Sequence, residues 1–254
     1  MQTIELNETK FTGPEKWNDL TRQNLIDLAK SIGYTGDQVF VNYVLVCLLF
    51  SIPKKWQLKL QRSQLEQMTQ TLDFLFEPNT LSKWLITSLG DWPCRVYGPK
   101  DRLSDLVAWE FVQIEAYYER YVQNQDDRYL DAFIAALYRP KKWFSEKRIA
   151  FNEEEISARA NKLQSLPQHI KTAIYTNYTG CRGLIVKLHP NLFFQEKASD
   201  GKSEKASNQM IEWNHHLLGV SGGALGDYEA VKKQKIWIVL KHMDDMAAAQ
   251  RRTT

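Results

Sequence analysis

The sequence predicts a mainly α fold, organised as a multi-helix globular bundle. Apolar residues recur at spacings of three and four along most of the 254 residues, which is the period of an amphipathic helix. Alternation of polar and apolar residues at every second position, which indicates strands, is scarce, and no segment repeats at a fixed period. Hydrophobic residues make up 43% of the chain, which is enough for a substantial core without disulfides.

An N-terminal helical region is predicted over residues 1–89. Either Asp19 or Thr21 can cap its first long helix, and Asp37 can cap the second. Pro53 closes that second helix, since proline cannot continue the hydrogen-bond ladder.

Two further segments of this region have distinct patterns. The stretch from Val39 to Ile52 is the most apolar in the chain, but a membrane-spanning helix needs about 20 such residues. We therefore interpret it as a buried core helix and expect no membrane partner. Ser63 with Glu66 has the spacing of a capping box, which predicts a helix over residues 64–75.

A C-terminal helical region is predicted over residues 100–254, packed with the first region as one compact unit. Residues 90–99 hold two glycines and two prolines and form either a short hairpin or an extended arm. Residues 195–207 are almost wholly polar and predict a flexible insertion. The predicted helices cover residues 103–121 with Ser104 as the cap, 129–138, 152–164 with Asn152 as the cap, 168–188, 208–218 and 227–249.

Glycines within the predicted helix 168–188 indicate a special packing role. Gly180 and Gly183 lack a Cβ atom, so they allow either a close backbone approach or a kink.

Charge and cysteine content exclude several classes of protein. The 33 basic and 30 acidic residues give a net charge of +3, too balanced to predict nucleic-acid binding by itself. Cys47, Cys94 and Cys181 are distant and odd in number, which fits a reducing compartment. The N-terminus lacks the apolar core of a signal peptide, so we expect a cytoplasmic location.

The motifs that suggest chemistry are incomplete. The Gly219–Gly226 loop lacks the Gly-Lys-Ser/Thr of a phosphate loop, and Asp227 would put a carboxylate where the phosphate should sit. Glu212 with His215 or His216 is only half of a di-iron pattern, and Ser221 has no α/β context for a nucleophile elbow. We expect no enzyme activity, no catalytic residue, no metal site and no cofactor.

The strongest cluster of candidate contact residues lies in the connector at residues 138–148. It interleaves basic and aromatic side chains, as single-strand binding proteins do. Cations at a helix end also interact favourably with the helix dipole, and Trp143 and Phe144 can anchor the connector on the core, so we favour this structural interpretation. The candidate interaction or nucleic-acid contacts are Arg139, Lys141, Lys142, Trp143, Lys147 and Arg148.

Four segments together are similar to uncharacterised proteins encoded among the tail genes of phages and prophages. They are Pro14–Thr21, Tyr97–Leu103, Ala135–Pro140, and the glycine-rich loop with the helix that follows it. The resemblance implies a helical tail-assembly or virion component, for example one that shields the apolar helices of a tape-measure protein. Its location would be the host cytoplasm and the virion. The resemblance assigns no functional residue.

A noncatalytic protein-interaction or assembly role is therefore the function that the sequence predicts, with a protein partner such as a phage tail protein. The alternative is a nucleic-acid-associated protein that uses the connector at residues 138–148. A third class, an enzyme or ligand-binding protein with a site assembled from distant residues, stays open because one sequence does not show which residues converge in space.

Overall fold

The computed structural model describes residues 1–6, 8–34, 37–58, 60, 62–91, 94–193 and 213–253. In these residues, eleven α-helices and two small two-stranded sheets are present, so the predicted mainly α fold is confirmed. The predicted polar insertion at residues 195–207 lies outside the described part of the chain.

The chain divides into two compact units. The first comprises Met1–Ile86 with Leu166–Gly183, and the second comprises Thr87–Ser165 with Leu184–Thr254. The first unit thus includes residues 166–183, which belong to the predicted C-terminal region. The packing of regions 1–89 and 100–254 as one unit stays a prediction.

The first unit begins with a β-hairpin that the helical prediction missed. Strand β1, Gln2–Leu6, pairs antiparallel with strand β2, Thr9–Gly13. Ile4 and Leu6 are buried, so the period-two pattern exists. It covers only two apolar residues in β1, which is too short to distinguish from chance.

The remaining helical segments of the first unit follow in chain order. They are a 3-10 turn at Trp17–Asp19, α1 at Arg22–Ile32, α2 at Gln38–Leu49, α3 at Lys54–Gln57, α4 at Arg62–Thr69, a 3-10 segment at Gln70–Leu75 and residues 168–183 of a long helix.

Local hydrogen bonds set the starts of α1 and α2. The Thr21 hydroxyl accepts from the Asn24 amide and the Asn24 side chain accepts from the Thr21 amide, which completes a capping box. Asp37 accepts from the Val39 amide at 2.9 Å. Both predicted caps are confirmed. The predicted cap at Ser63 is wrong, because α4 begins one residue before it.

Helix α2 is only partly a core helix. It packs on α1 and α4 and buries Val41, Leu45, Val46 and Leu49. Its other face, which includes Phe40 and Leu48, stays exposed, so the predicted burial of the whole helix is wrong.

The long helix of the first unit closely approaches an irregular segment. Asn177 accepts a hydrogen bond from the Leu85 amide and donates one to the Lys83 carbonyl, both at 2.7 Å. A Cβ atom on Gly180 would lie 2.5 Å from the Leu81 carbonyl oxygen. The predicted close approach at Gly180 is confirmed.

The second unit contains a short hairpin and most of the helices. Strand β3 at Ser88–Leu89 pairs antiparallel with strand β4 at Val96–Tyr97, so a hairpin, rather than an extended arm, flanks the predicted loop. The helices are α5 at Ala108–Asn124, α6 at Asp127–Leu137, α7 at Glu155–Leu163, the last residues of α8 at Gln168–Leu188, α9 at Trp213–Gly219, α10 at Tyr228–Lys233 and α11 at Ile236–Thr253.

Pairing of distant backbone segments changes two predicted helix boundaries. The Ala108 amide donates to the Gln234 carbonyl at 2.9 Å, and the Ile236 amide donates to the Leu106 carbonyl at 3.1 Å. Gln234 and Lys235 therefore interrupt the helix, and the single helix predicted over 227–249 is two helices. Helix α5 starts at Ala108, so the predicted cap at Ser104 is also wrong.

Helix α7 begins three residues later than predicted. Asn152 accepts a hydrogen bond from the Glu154 amide at 3.1 Å, but the N-cap of α7 is Glu154. The predicted cap at Asn152 is thus wrong, and its side chain forms its hydrogen bond in the turn that precedes the helix.

Candidate functional site

The basic and aromatic connector folds into a small hairpin, which we call the connector hairpin, residues 139–149. Its two arms are joined by hydrogen bonds from the Ile149 amide to the Pro140 carbonyl and from the Lys142 amide to the Lys147 carbonyl, both at 2.9 Å. At the base, Arg139 exchanges two backbone hydrogen bonds with Tyr97. The hairpin therefore extends from the edge of β4.

A buried ion network holds the base of the connector hairpin. Arg139 Nη2 donates to Glu110 Oε1 at 2.6 Å, and Arg148 Nη2 lies 2.9 Å from Asp105 Oδ2 and 3.3 Å from Glu110 Oε1. Both arginine side chains are 5% exposed. Two guanidinium groups thus face two carboxylates, which compensate their charge.

Backbone acceptors extend this network. Arg139 Nη1 donates to the Ile149 carbonyl at 2.8 Å, and Arg148 Nη1 donates to the Leu137 carbonyl at 2.7 Å. Burial raises the pKa of Glu110, against the attraction of Arg148 and Arg139, and burial lowers the pKa of Arg139. The network is a structural clamp, and its two arginines do not present charge to solvent.

Lys141 also has its charge compensated. Its Nζ atom pairs with Glu146 and lies 4.4 Å from the centre of the Tyr97 ring. The hydrogen bond from Lys141 lowers the pKa of Glu146. The contacts of Lys141 thus stabilise the connector hairpin rather than present its charge to a ligand.

The tip of the connector hairpin, residues 142–147, is the exposed part. Trp143 is 84% exposed and Phe144 is 99% exposed, and their rings form an edge-to-face pair with centres 6.0 Å apart. Lys142 and Lys147 are also exposed. The interpretation that Trp143 and Phe144 anchor the connector on the core is therefore wrong.

Phe144 adopts a backbone conformation that is unfavourable for its residue type. Its φ is +55°, in the left-handed region, where a residue with a Cβ atom pays roughly 1–2 kcal/mol. The Ser145 amide donates to the Lys142 carbonyl at 3.1 Å and closes this tight turn. Phe144 belongs to the basic and aromatic cluster of the sequence but is not among the six predicted contacts, because only the turn shows that its ring faces water.

The structure thus divides the six predicted contact residues. Arg139 and Arg148 are buried in the clamp, and Lys141 pairs within the hairpin. Lys142, Trp143 and Lys147 remain together at the tip, where Phe144 joins them.

The carboxylate that follows the glycine-rich loop has a structural role. Asp227 accepts a hydrogen bond from the Ala230 amide at 2.8 Å, so a carboxylate caps the helix that follows the glycine-rich loop. Glu212 of the half di-iron pattern lies outside the described residues. Within the described ranges, no group of three or more His, Cys, Asp or Glu side chains is arranged to hold a metal ion.

His189, at the end of α8, is buried beside Trp237, with ring centres 5.7 Å apart. Burial lowers its pKa, although Asp244 opposes this effect. Asp244 is committed elsewhere, because it accepts hydrogen bonds from the Asn191 and Leu192 amides at 2.8 and 2.9 Å. These contacts fix the turn after α8.

In comparisons with known proteins, no family model, no curated protein and no solved structure matches this chain. No helix in the described part of the chain combines the length and the apolar character that a membrane crossing requires. The connector hairpin, with the exposed residues at its tip, is therefore the candidate functional site.

Proposed function

We propose that this chain is a noncatalytic assembly protein that binds another protein through the tip of the connector hairpin. The observation that supports this proposal is Phe144, an almost fully exposed ring on a residue with an unfavourable positive φ. Strained, exposed residues cluster at functional sites, where the strain is retained for binding. Aromatic side chains are also the residues that most often dominate protein interfaces.

The anchoring of the hairpin supports the same role. Because the clamp of Glu110, Arg139 and Arg148 fixes its base, the tip can present its two rings with little loss of conformational entropy on binding. The resemblance to phage tail-region proteins supplies the partner class, which we propose to be a tail protein.

A photo-crosslinking amino acid at position 144 tests this proposal. We expect protein adducts that survive nuclease treatment and high salt in a native lysate, and we expect Trp143→Ala to reduce them at least tenfold. The matched control is the same crosslinker at position 76, since Phe76 is an exposed phenylalanine in the first unit. Equal adduct yields at positions 144 and 76 would contradict the proposal, and mass spectrometry of the adduct identifies a tail protein or a different partner.

Nucleic-acid binding is the second candidate function, favoured by Lys142 and Lys147 beside the exposed rings. Two phosphate contacts predict that binding to a single strand weakens about sevenfold between 50 and 200 mM salt. Fluorescence anisotropy with a labelled oligonucleotide measures this change. Lys142→Glu with Lys147→Glu should abolish binding, whereas Lys10→Glu with Lys16→Glu, a control of equal charge change, should weaken it only slightly.

A further inference from the structure

Helix α2 lacks the polar face that a surface helix normally has. Exposed helix faces in globular proteins are usually polar. The exposed face of α2 is instead apolar: Phe40 is 54%, Val44 37% and Leu48 43% exposed. Such a face indicates that another surface covers it.

The exposed face has both a ridge and a groove. Phe40, Val44 and Leu48 follow one another at intervals of four residues, so their side chains form one ridge along the helix. A groove of about 280 Å³ lies beside this ridge, between α1 and α2. Its lining includes Val41 and Leu45 of α2, Tyr34 just after the end of α1, and the ion pair between Asp27 and Lys30 of α1. A surface with a ridge and an adjacent groove can pack against a copy of itself about a two-fold axis.

The apolar patch supplies most of the area that a pair of copies needs. The exposed apolar residues that line the groove are Tyr34, Phe40, Val44 and Leu48. Together they expose roughly 360 Å², so two copies would bury about 700 Å² of this patch, and the polar rim around it must supply the rest of the roughly 1,000 Å² that a predicted interface should exceed.

The charges at the two ends of α2 favour an antiparallel arrangement. Asp37 is exposed at the amino end, and Lys54 and Lys55 are exposed beyond the carboxyl end. When two copies of α2 cross in opposite directions, the acidic end of each lies towards the basic end of the other. The helix dipoles are then opposed as well, which is also favourable.

We propose that this chain forms a homodimer in which the Phe40–Val44–Leu48 ridge of each copy packs into the α1–α2 groove of the other. The interface is a different surface from the tip of the connector hairpin. The dimer would present two such tips, which would raise the avidity for a partner that has repeated sites.

Sedimentation equilibrium of the full chain tests the proposal. We expect a mass near twice 29.6 kDa at micromolar concentration, and we expect Phe40→Glu to raise the dimer dissociation constant at least 100-fold. The matched control is Ile238→Glu, a comparably exposed apolar residue on a helix of the second unit, which should leave the dimer intact. Circular dichroism of each variant distinguishes dissociation from unfolding.

A second pair of variants tests the antiparallel arrangement. Lys54→Glu with Lys55→Glu should raise the dissociation constant about tenfold at low salt, with a smaller effect at high salt because the interaction is screened. A wild-type chain that remains monomeric to about 100 μM, or a folded Phe40→Glu variant that still dimerises, overturns the proposal. A monomer with unchanged crosslinking from position 144 would leave the proposed function standing while the dimer fails.

Discussion

Arg139 and Trp143 lie four residues apart, yet the Arg139 side chain is 5% exposed and Trp143 is 84% exposed. Residue type alone predicts the reverse. A guanidinium group leaves water only where carboxylates and carbonyls replace the lost hydrogen bonds, and Glu110 with the Ile149 carbonyl does so for Arg139. An exposed indole lacks the hydrophobic stabilisation that burial would provide, which makes Trp143 a candidate for contact with a partner.

Glu110→Ala should destabilise the protein strongly. It would leave Arg139 and Arg148 buried with one carboxylate instead of two, which typically costs about 3–5 kcal/mol. Thermal or chemical unfolding measures this loss. Asp245→Ala is the control, because Asp245 pairs with Lys241 on an exposed helix face and its removal should have little effect. A change for Glu110→Ala as small as that for Asp245→Ala would show that the clamp is not required for stability.

At the scale of secondary-structure elements, the sequence predicts what local hydrogen bonds determine. The caps at Thr21 and Asp37 are confirmed because a side chain and an amide two or three residues apart form them. The break between α10 and α11 was not predictable from local pattern, because the backbone of Gln234 and Ile236 pairs with residues more than 120 positions away. The candidate site shows the same limit. The basic and aromatic residues at positions 139–148 are visible in the sequence, but the burial of Arg139 and Arg148 depends on Glu110 and Asp105.

The close contact of helix α8 with residues 79–86 leads to an element-scale prediction. Gly180→Ala should destabilise the protein by about 1–3 kcal/mol, because the new Cβ atom would lie 2.5 Å from a backbone carbonyl oxygen that cannot move freely. Gly183→Ala is the matched control on the same helix, since its Cβ would lie 3.4 Å from the nearest atom, the Asn79 carbonyl oxygen. Alanine also has the higher helix propensity, so Gly183→Ala should be close to neutral. If the two variants lose equal free energy of unfolding in a denaturant titration, the proposed steric cause is contradicted.

At the scale of the whole molecule, the first unit is assembled from two separate parts of the sequence. The chain leaves this unit after Ile86, returns at Leu166 and leaves again after Gly183. Helix α8 is therefore required by a unit whose other elements all precede residue 87. Asn177 provides two of the hydrogen bonds that hold residues 83–85, and Thr176 accepts another from Asn79.

A fragment of residues 1–89 should consequently fail to fold on its own. Without Thr176 and Asn177, the partly buried polar groups of residues 79–85 lose their hydrogen-bond partners, and each such loss costs up to about 1–3 kcal/mol, the value for a fully buried group. Such losses are comparable with the total stability of a small domain, about 5–15 kcal/mol. We therefore expect no cooperative thermal transition by circular dichroism from the fragment alone, and a partial recovery when a peptide of residues 166–183 is added. The same peptide with Asn177→Ala should be less effective, whereas a cooperative transition of the isolated fragment near that of the full chain would show that residues 1–89 form an independent domain.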